Sequence, residues 1–122
     1  MNRIIPPSDL NGLPCSVTAV SCVLGRIPED TPVYLKKLKS DGYATLQTAN
    51  RFIRDHLPVR KRIDYRRGER PKLRELHLDG KAVVCVYGHL IYVEGETYHS
   101  FFYNENDDVV AVWLLKEKNG KT

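Results

Sequence analysis

Gly88-His89-Leu90-Ile91-Tyr92-Val93-Glu94-Gly95-Glu96-Thr97-Tyr98-His99-Ser100-Phe101-Phe102-Tyr103 is the stretch on which the fold turns. Two runs rich in β-branched and aromatic residues flank the link Glu94-Gly95-Glu96-Thr97, which predicts an antiparallel hairpin. Pairing Glu94 with Thr97 sets Phe102 across from His89. It places Ser100 and Asn104 on the face of His89, and His99 on the other. A slip of one residue brings Tyr103 and Glu105 to that face instead. Upstream, Ala82 to Tyr87 is a short buried-strand run; downstream, Asn106-Asp107-Asp108 turns the chain into another from Val109 to Leu115. Val59, Ile63 and Tyr65 alternate with Arg60, Arg62 and Asp64, which predicts a strand with a basic outer side. Leu73 and Leu76 fit a short helical turn before Asp79-Gly80.

The first half of the chain has the other period. Val17, Val20 and Leu24 recur at helical spacing after Pro14, with Gly25 as the stop, so Cys15 falls at a helix N-terminus. Thr31-Pro32 starts a second helix ended by Ser40-Asp41-Gly42. Leu46, Ala49, Ile53 and Leu57 mark a third, bounded by Thr45 and Pro58. Helices first and an antiparallel sheet second make an α+β domain, and 122 residues with 42% hydrophobic and 28% charged make one domain spanning 1–122. Apolar runs end within about seven residues, far short of the roughly 20 of a membrane helix, so no membrane partner is expected. No secretory signal is visible, which points to the cytoplasm. Three cysteines without a CxxC pair argue against both a disulfide framework and a thiolate zinc site.

A cysteine at a helix start sits by the positive end of the helix dipole and by unpaired backbone amides, both of which favour the thiolate. Cys15 therefore has the location of a nucleophile. His89, opening the first arm of the hairpin, has the chemistry of its proton shuttle. On the expected register Asn104 orients the His89 ring, with Glu105 as the alternative. Cys22 and Cys85, inside apolar runs, are expected in the core. His56 is placed as a helix-end dipole contact and His77 at the surface.

Leu13-Pro14-Cys15-Ser16 opening an apolar helix, Gly88 to Gly95 as strand and turn, and a polar residue ending the returning strand together resemble the papain-like fold. Within it they resemble the bacteriocin-processing peptidases that cut double-glycine leaders. The resemblance covers most of the chain and implies N-terminal helices, the nucleophile helix packed on a C-terminal antiparallel sheet, and a Cys15-His89-Asn104 triad. The implied activity is that of a cysteine peptidase or related amide hydrolase or acyl transferase, acting on a peptide or protein substrate with no metal or cofactor. The hairpin also resembles cell-wall endopeptidases of the NlpC type, which would make His99 the third residue.

Two positions depart from the family pattern. Asp9 stands where the oxyanion Gln usually lies, which leaves Asn11 and the Cys15 amide as the oxyanion donors. Ser16 replaces a usual glycine after the nucleophile and is expected to crowd the approach. A second class of function follows from the segment 60–74, with eight basic residues against two acids. Arg60, Arg62, Arg66, Arg67 and Arg70 are its candidate contacts. On this reading the chain is a non-catalytic papain-like adaptor or inhibitor, of the sort a virus or mobile element uses, binding nucleic acid or an acidic protein. A solvated edge strand whose charges discourage pairing accounts for the same run. Asn104 to Asp108 lacks the glycine and bidentate glutamate of a calcium loop and is expected to be a turn.

Overall fold

The computed structural model describes residues 1–13, 15–28, 46–86 and 89–116; the helix expected between Thr31 and Gly42 lies outside them, as does Gly88. The elements in chain order are β1 (Asn2–Ile4), a 3-10 turn (Ser8–Leu10), α1 (Cys15–Leu24), α2 (Leu46–His56), β2 (Val59–Asp64), a second 3-10 turn (Leu73–Glu75), β3 (Lys81–Val86), β4 (His89–Glu94), β5 (Thr97–His99) and β6 (Val109–Leu115). The architecture is α+β, with one sheet in the order β1-β5-β4-β3-β6-β2.

The sheet is mixed, not purely antiparallel as expected. β1 runs parallel to β5, joined by Asn2 N–H to Glu96 C=O at 2.8 Å and Ser100 N–H to Ile4 C=O at 3.1 Å. Three residues ahead of Pro6-Pro7 show no period, and their partner lies at the other end of the sequence, so nothing local announces the strand.

Period two sorts the sheet side chains cleanly. Val83, Cys85, Leu90, Ala111 and Trp113 face the helices; there they meet Val17 and Val20 of α1 and Phe52 and Ile53 of α2. Ala82, Val84, Val86, Ile91, Val93, Tyr98 and Val112 face the other way, under Leu73 and Leu76. Both faces are buried, which is why the central strands read as continuous apolar runs. Trp113 is fully buried, and its indole N–H donates to Asn50 Oδ1 at 2.7 Å. α1 ends as expected, with Gly25 at φ 76 and its N–H on Ser21 C=O at 2.8 Å. At the end of α2, His56 Nδ1 lies 3.0 Å from Phe52 C=O and its ring packs on Phe52 at 4.4 Å.

The β4–β5 hairpin has the expected register: Tyr92↔His99, Val93↔Tyr98 and Glu94↔Thr97. Gly95, at φ 59, takes the first central position of a type II′ turn, where a positive φ is required. β5 stops at His99, short of the run to Tyr103. Ser100 gives its N–H to Ile4 and accepts Phe102 N–H on Oγ at 3.0 Å, which bends the chain out of the ladder.

β2 departs from simple alternation. Its ladder with β6 slips between Val59 and Lys61, a bulge that resets the phase at Arg60. Val59 therefore packs with the helix-side core while Ile63 and Tyr65 pack with the opposite one. Arg62 is brought from the expected outer side to the helix side, opposite Trp113, with its guanidinium 5.2 Å from the indole ring. Among the described residues no helix is long and apolar enough to cross a membrane.

Candidate active site

Cys15 is the first residue of α1, and α1 lies against β4, which His89 begins. Cys15, His89, Asn11 and His99 line a single cavity of about 380 Å³, closed on its other side by Ser100 to Phe102. Sequence order alone did not require this meeting. By register His89 pairs with Val86 and belongs to the face away from α1. It reaches the cavity because it stands at the strand's end, where the chain after β5 has left the sheet. Phe102 remains its cross-strand neighbour without a ladder, ring edge to ring face at 5.7 Å.

His99 pairs with Tyr92, so it lies on the helix side of the sheet, with its ring 4.8 Å from that of Tyr92. The expected parity between His89 and His99 holds, and the face that meets Cys15 is the one carrying His99. Which face α1 covers was not readable, because both faces are apolar. With Leu10, His99 also forms a wall of a second cavity, lined further by Asp9, Ser21 and Cys22. Ser21 Oγ has no hydrogen-bond partner among the described residues. Ser16 is 2% exposed and turned into the core, so it does not crowd the cavity.

Asn104 is buried and fully engaged elsewhere. Its Oδ1 accepts from Ser100 Oγ at 2.6 Å, and its Nδ2 donates to Asp107 Oδ2 at 2.7 Å. Asp107 N–H closes the turn onto Asn104 C=O at 3.0 Å. Glu105 is held by the buried Tyr98 hydroxyl, whose pKa is pushed up to about 12 by burial and by that carboxylate. Neither Asn104 nor Glu105 lines the cavity. The acid that acts on His89 is Asp107: burial lowers the His89 pKa from its ordinary value, and the Asp107 charge partly restores it. The sequence marked Asp107 only as turn chemistry, and its sole legible signal was its place in the turn that follows Asn104.

Cys85 and Cys22 are half-buried, not fully enclosed. Burial raises both thiols, Cys85 to about 11 with a further push from neighbouring Cys15. Neither is primed as a nucleophile. His77 is exposed, 3.5 Å from Glu96.

Burial also lowers the His99 pKa, with Glu94 acting in the opposite direction. Near and below the ordinary value of 6.5, the folded chain thus binds fewer protons at these two rings than the unfolded chain. Their contribution to stability is whole above that value and is lost as pH falls through the lowered pKa values. The urea midpoint is expected to drop between about pH 7.5 and 5, and the His89→Gln, His99→Gln double variant is expected to flatten that slope. A slope unchanged in the double variant would remove these rings from the account.

Compared with family models, curated proteins and solved structures, the chain gives no match.

Proposed function

We propose that the chain is a papain-like thiol hydrolase, a cysteine peptidase or a related amide-cleaving or acyl-transfer enzyme. One observation carries the reading: the cysteine that begins α1 and the histidine that begins β4 share one cavity, although 74 residues separate them. Burial favours the neutral His89 imidazole, the form able to accept a proton. In this scheme Cys15 Sγ passes its proton to the His89 ring and attacks the substrate carbonyl carbon. The oxyanion is met by the Cys15 backbone amide and the Asn11 side-chain amide. Collapse expels the amine, which takes the proton from His89; water then cleaves the thioester, its proton returning through His89 to the thiol. Asn104 acts as a positioning residue, fixing Asp107 in the turn whose charge reaches His89. The three free thiols fit a cytoplasmic setting, where cysteines stay reduced.

The test is the rate of Cys15 alkylation against pH, read by peptide mass spectrometry. A lone thiol ionises near 8.5. Alkylation is expected to stay fast well below that range in the wild type and to lose this acid-side reactivity in His89→Ala. A Cys15 that titrates as a lone thiol in both proteins would refute the pair and leave a scaffold without its chemistry.

A further inference from the structure

The cations of the 60–74 segment fall into two groups. Arg62 is 2.8 Å from Asp64 and lies over Trp113, Lys72 is 2.6 Å from Asp108, Arg74 donates to the Asn106 side chain, and Arg70 donates to Tyr65 C=O at 3.4 Å. Arg60, Lys61, Arg66 and Arg67 are exposed and have no carboxylate partner among the described residues. Against these four stands Glu69, exposed in the same turn.

The fold, more than the composition, gathers these four. Among the described residues β2 is the last strand of the sheet, and no strand pairs with its outer edge. Val59 faces the helix-side core, so unbroken alternation would have aimed Lys61 at the same core. The bulge at Arg60 instead leaves two consecutive cations exposed. Past the strand, Glu69 N–H bonds to Arg66 C=O at 2.9 Å and Gly68 takes φ 89, a tight turn that exposes Arg66 and Arg67 together. At strand rise, residues 60 to 67 span at most about 23 Å.

The chemistry of the partner follows from what this edge lacks. Stable protein interfaces are organised around buried aromatic or aliphatic anchors. The exposed large apolar side chains of the described residues are Ile4, Ile5, Ile27, Phe102 and Tyr103, none of them on β2 or its turn. β1, which carries Ile4, is the opposite edge of the sheet. Tyr65, the aromatic of the segment, packs partly buried against the core and is not among the exposed large apolar side chains. A row of cations with no exposed apolar anchor and no exposed aromatic beside it among the described residues suits a repeating phosphate backbone and reads no sequence.

We infer that the β2 edge and the turn after it bind the phosphate backbone of nucleic acid without sequence preference. β3 and β6 lie between β2 and β4, so this surface is separate from the Cys15 cavity and does not depend on its chemistry.

The test is fluorescence anisotropy of a labelled DNA duplex of about 20 base pairs, titrated with the whole chain between about 50 and 200 mM salt. Four phosphate contacts give a log–log slope of about −3.6, an affinity loss on the order of 100-fold across that range. Arg60→Gln with Lys61→Gln is expected to reduce the slope by about 2, and Arg66→Gln with Arg67→Gln to do the same. The two pairs are independent readings if one variant folds poorly. Lys72→Gln, whose charge is already met by Asp108, leaves the slope unchanged, and Glu69→Gln tightens binding. Absence of binding at the lowest salt, or a slope indifferent to the four substitutions, would overturn the inference. So would equal or tighter binding of labelled polyglutamate through the same residues, which would assign the edge to an acidic protein.

Discussion

Trp113→Ala is expected to cost about 3–5 kcal/mol of stability, from a total that for such domains is about 5–15 kcal/mol. Trp113 is fully buried in the core where α1 and α2 meet the sheet. The loss is compound. Asn50 Oδ1 forfeits the indole N–H that ties α2 to β6, and Arg62 forfeits the ring beneath its guanidinium. Urea denaturation would register this as a midpoint lower by about 2 M at an unchanged dependence on denaturant. Trp113→Phe keeps most of the buried area and is expected to cost less than half as much. A loss under about 1 kcal/mol for the alanine variant would mean that the helices are not seated on the sheet through this residue.

Cys15→Ala is expected to remove hydrolysis altogether, by at least about 1,000-fold, with the fold intact, because deleting the nucleophile leaves only binding and oxyanion stabilisation. Since the substrate is defined by chemistry alone, the assay is cleavage of a mixed peptide library followed by mass spectrometry. His89→Ala is expected to fall as far as Cys15→Ala, and the double variant no further, because the two groups act as a unit. The same variants should bind duplex DNA with the wild-type salt slope, while the Arg66→Gln, Arg67→Gln variant should cut peptides at the wild-type rate. Cleavage that persists without Cys15 would exclude it as the nucleophile.

The hairpin was legible because three kinds of signal agree there. The flanking runs are rich in β-branched and aromatic residues, the link is short, and Gly95 supplies the positive φ that link needs. The start of α1 at Cys15 was legible for a similar reason, with Gly25 marking its end. The bulge at Arg60 was not, since it is a mismatch of residue count between β2 and β6, and neither strand alone records the other's length. The same holds for the pairing of Asn2–Ile4 with β5. At the site, Cys15, His89 and Asn11 could be named from the sequence. The commitment of Asn104 to Ser100 and Asp107, and the effect of the Asp107 charge on His89, depend on how β5 leaves the sheet at Ser100. That bend rests on Ser100 Oγ taking Phe102 N–H, and no periodicity encodes it or the last β1–β5 bond just before it, from Ser100 N–H to Ile4 C=O.

That bond also has a consequence in time. The lining of the Cys15 cavity is drawn from Leu10 to Thr18 and from His89 to Phe102, and the sheet edge beside it is sealed only when β1 finds β5. Contacts of such long sequence separation form late and slowly, after the loop entropy of the intervening chain has been overcome. During synthesis the α1 segment leaves the ribosome well before His89, its proposed partner, has been made. A nascent chain therefore carries Cys15 without the histidine proposed to take its proton, and on this reading an unfinished copy has no cleaving activity of its own.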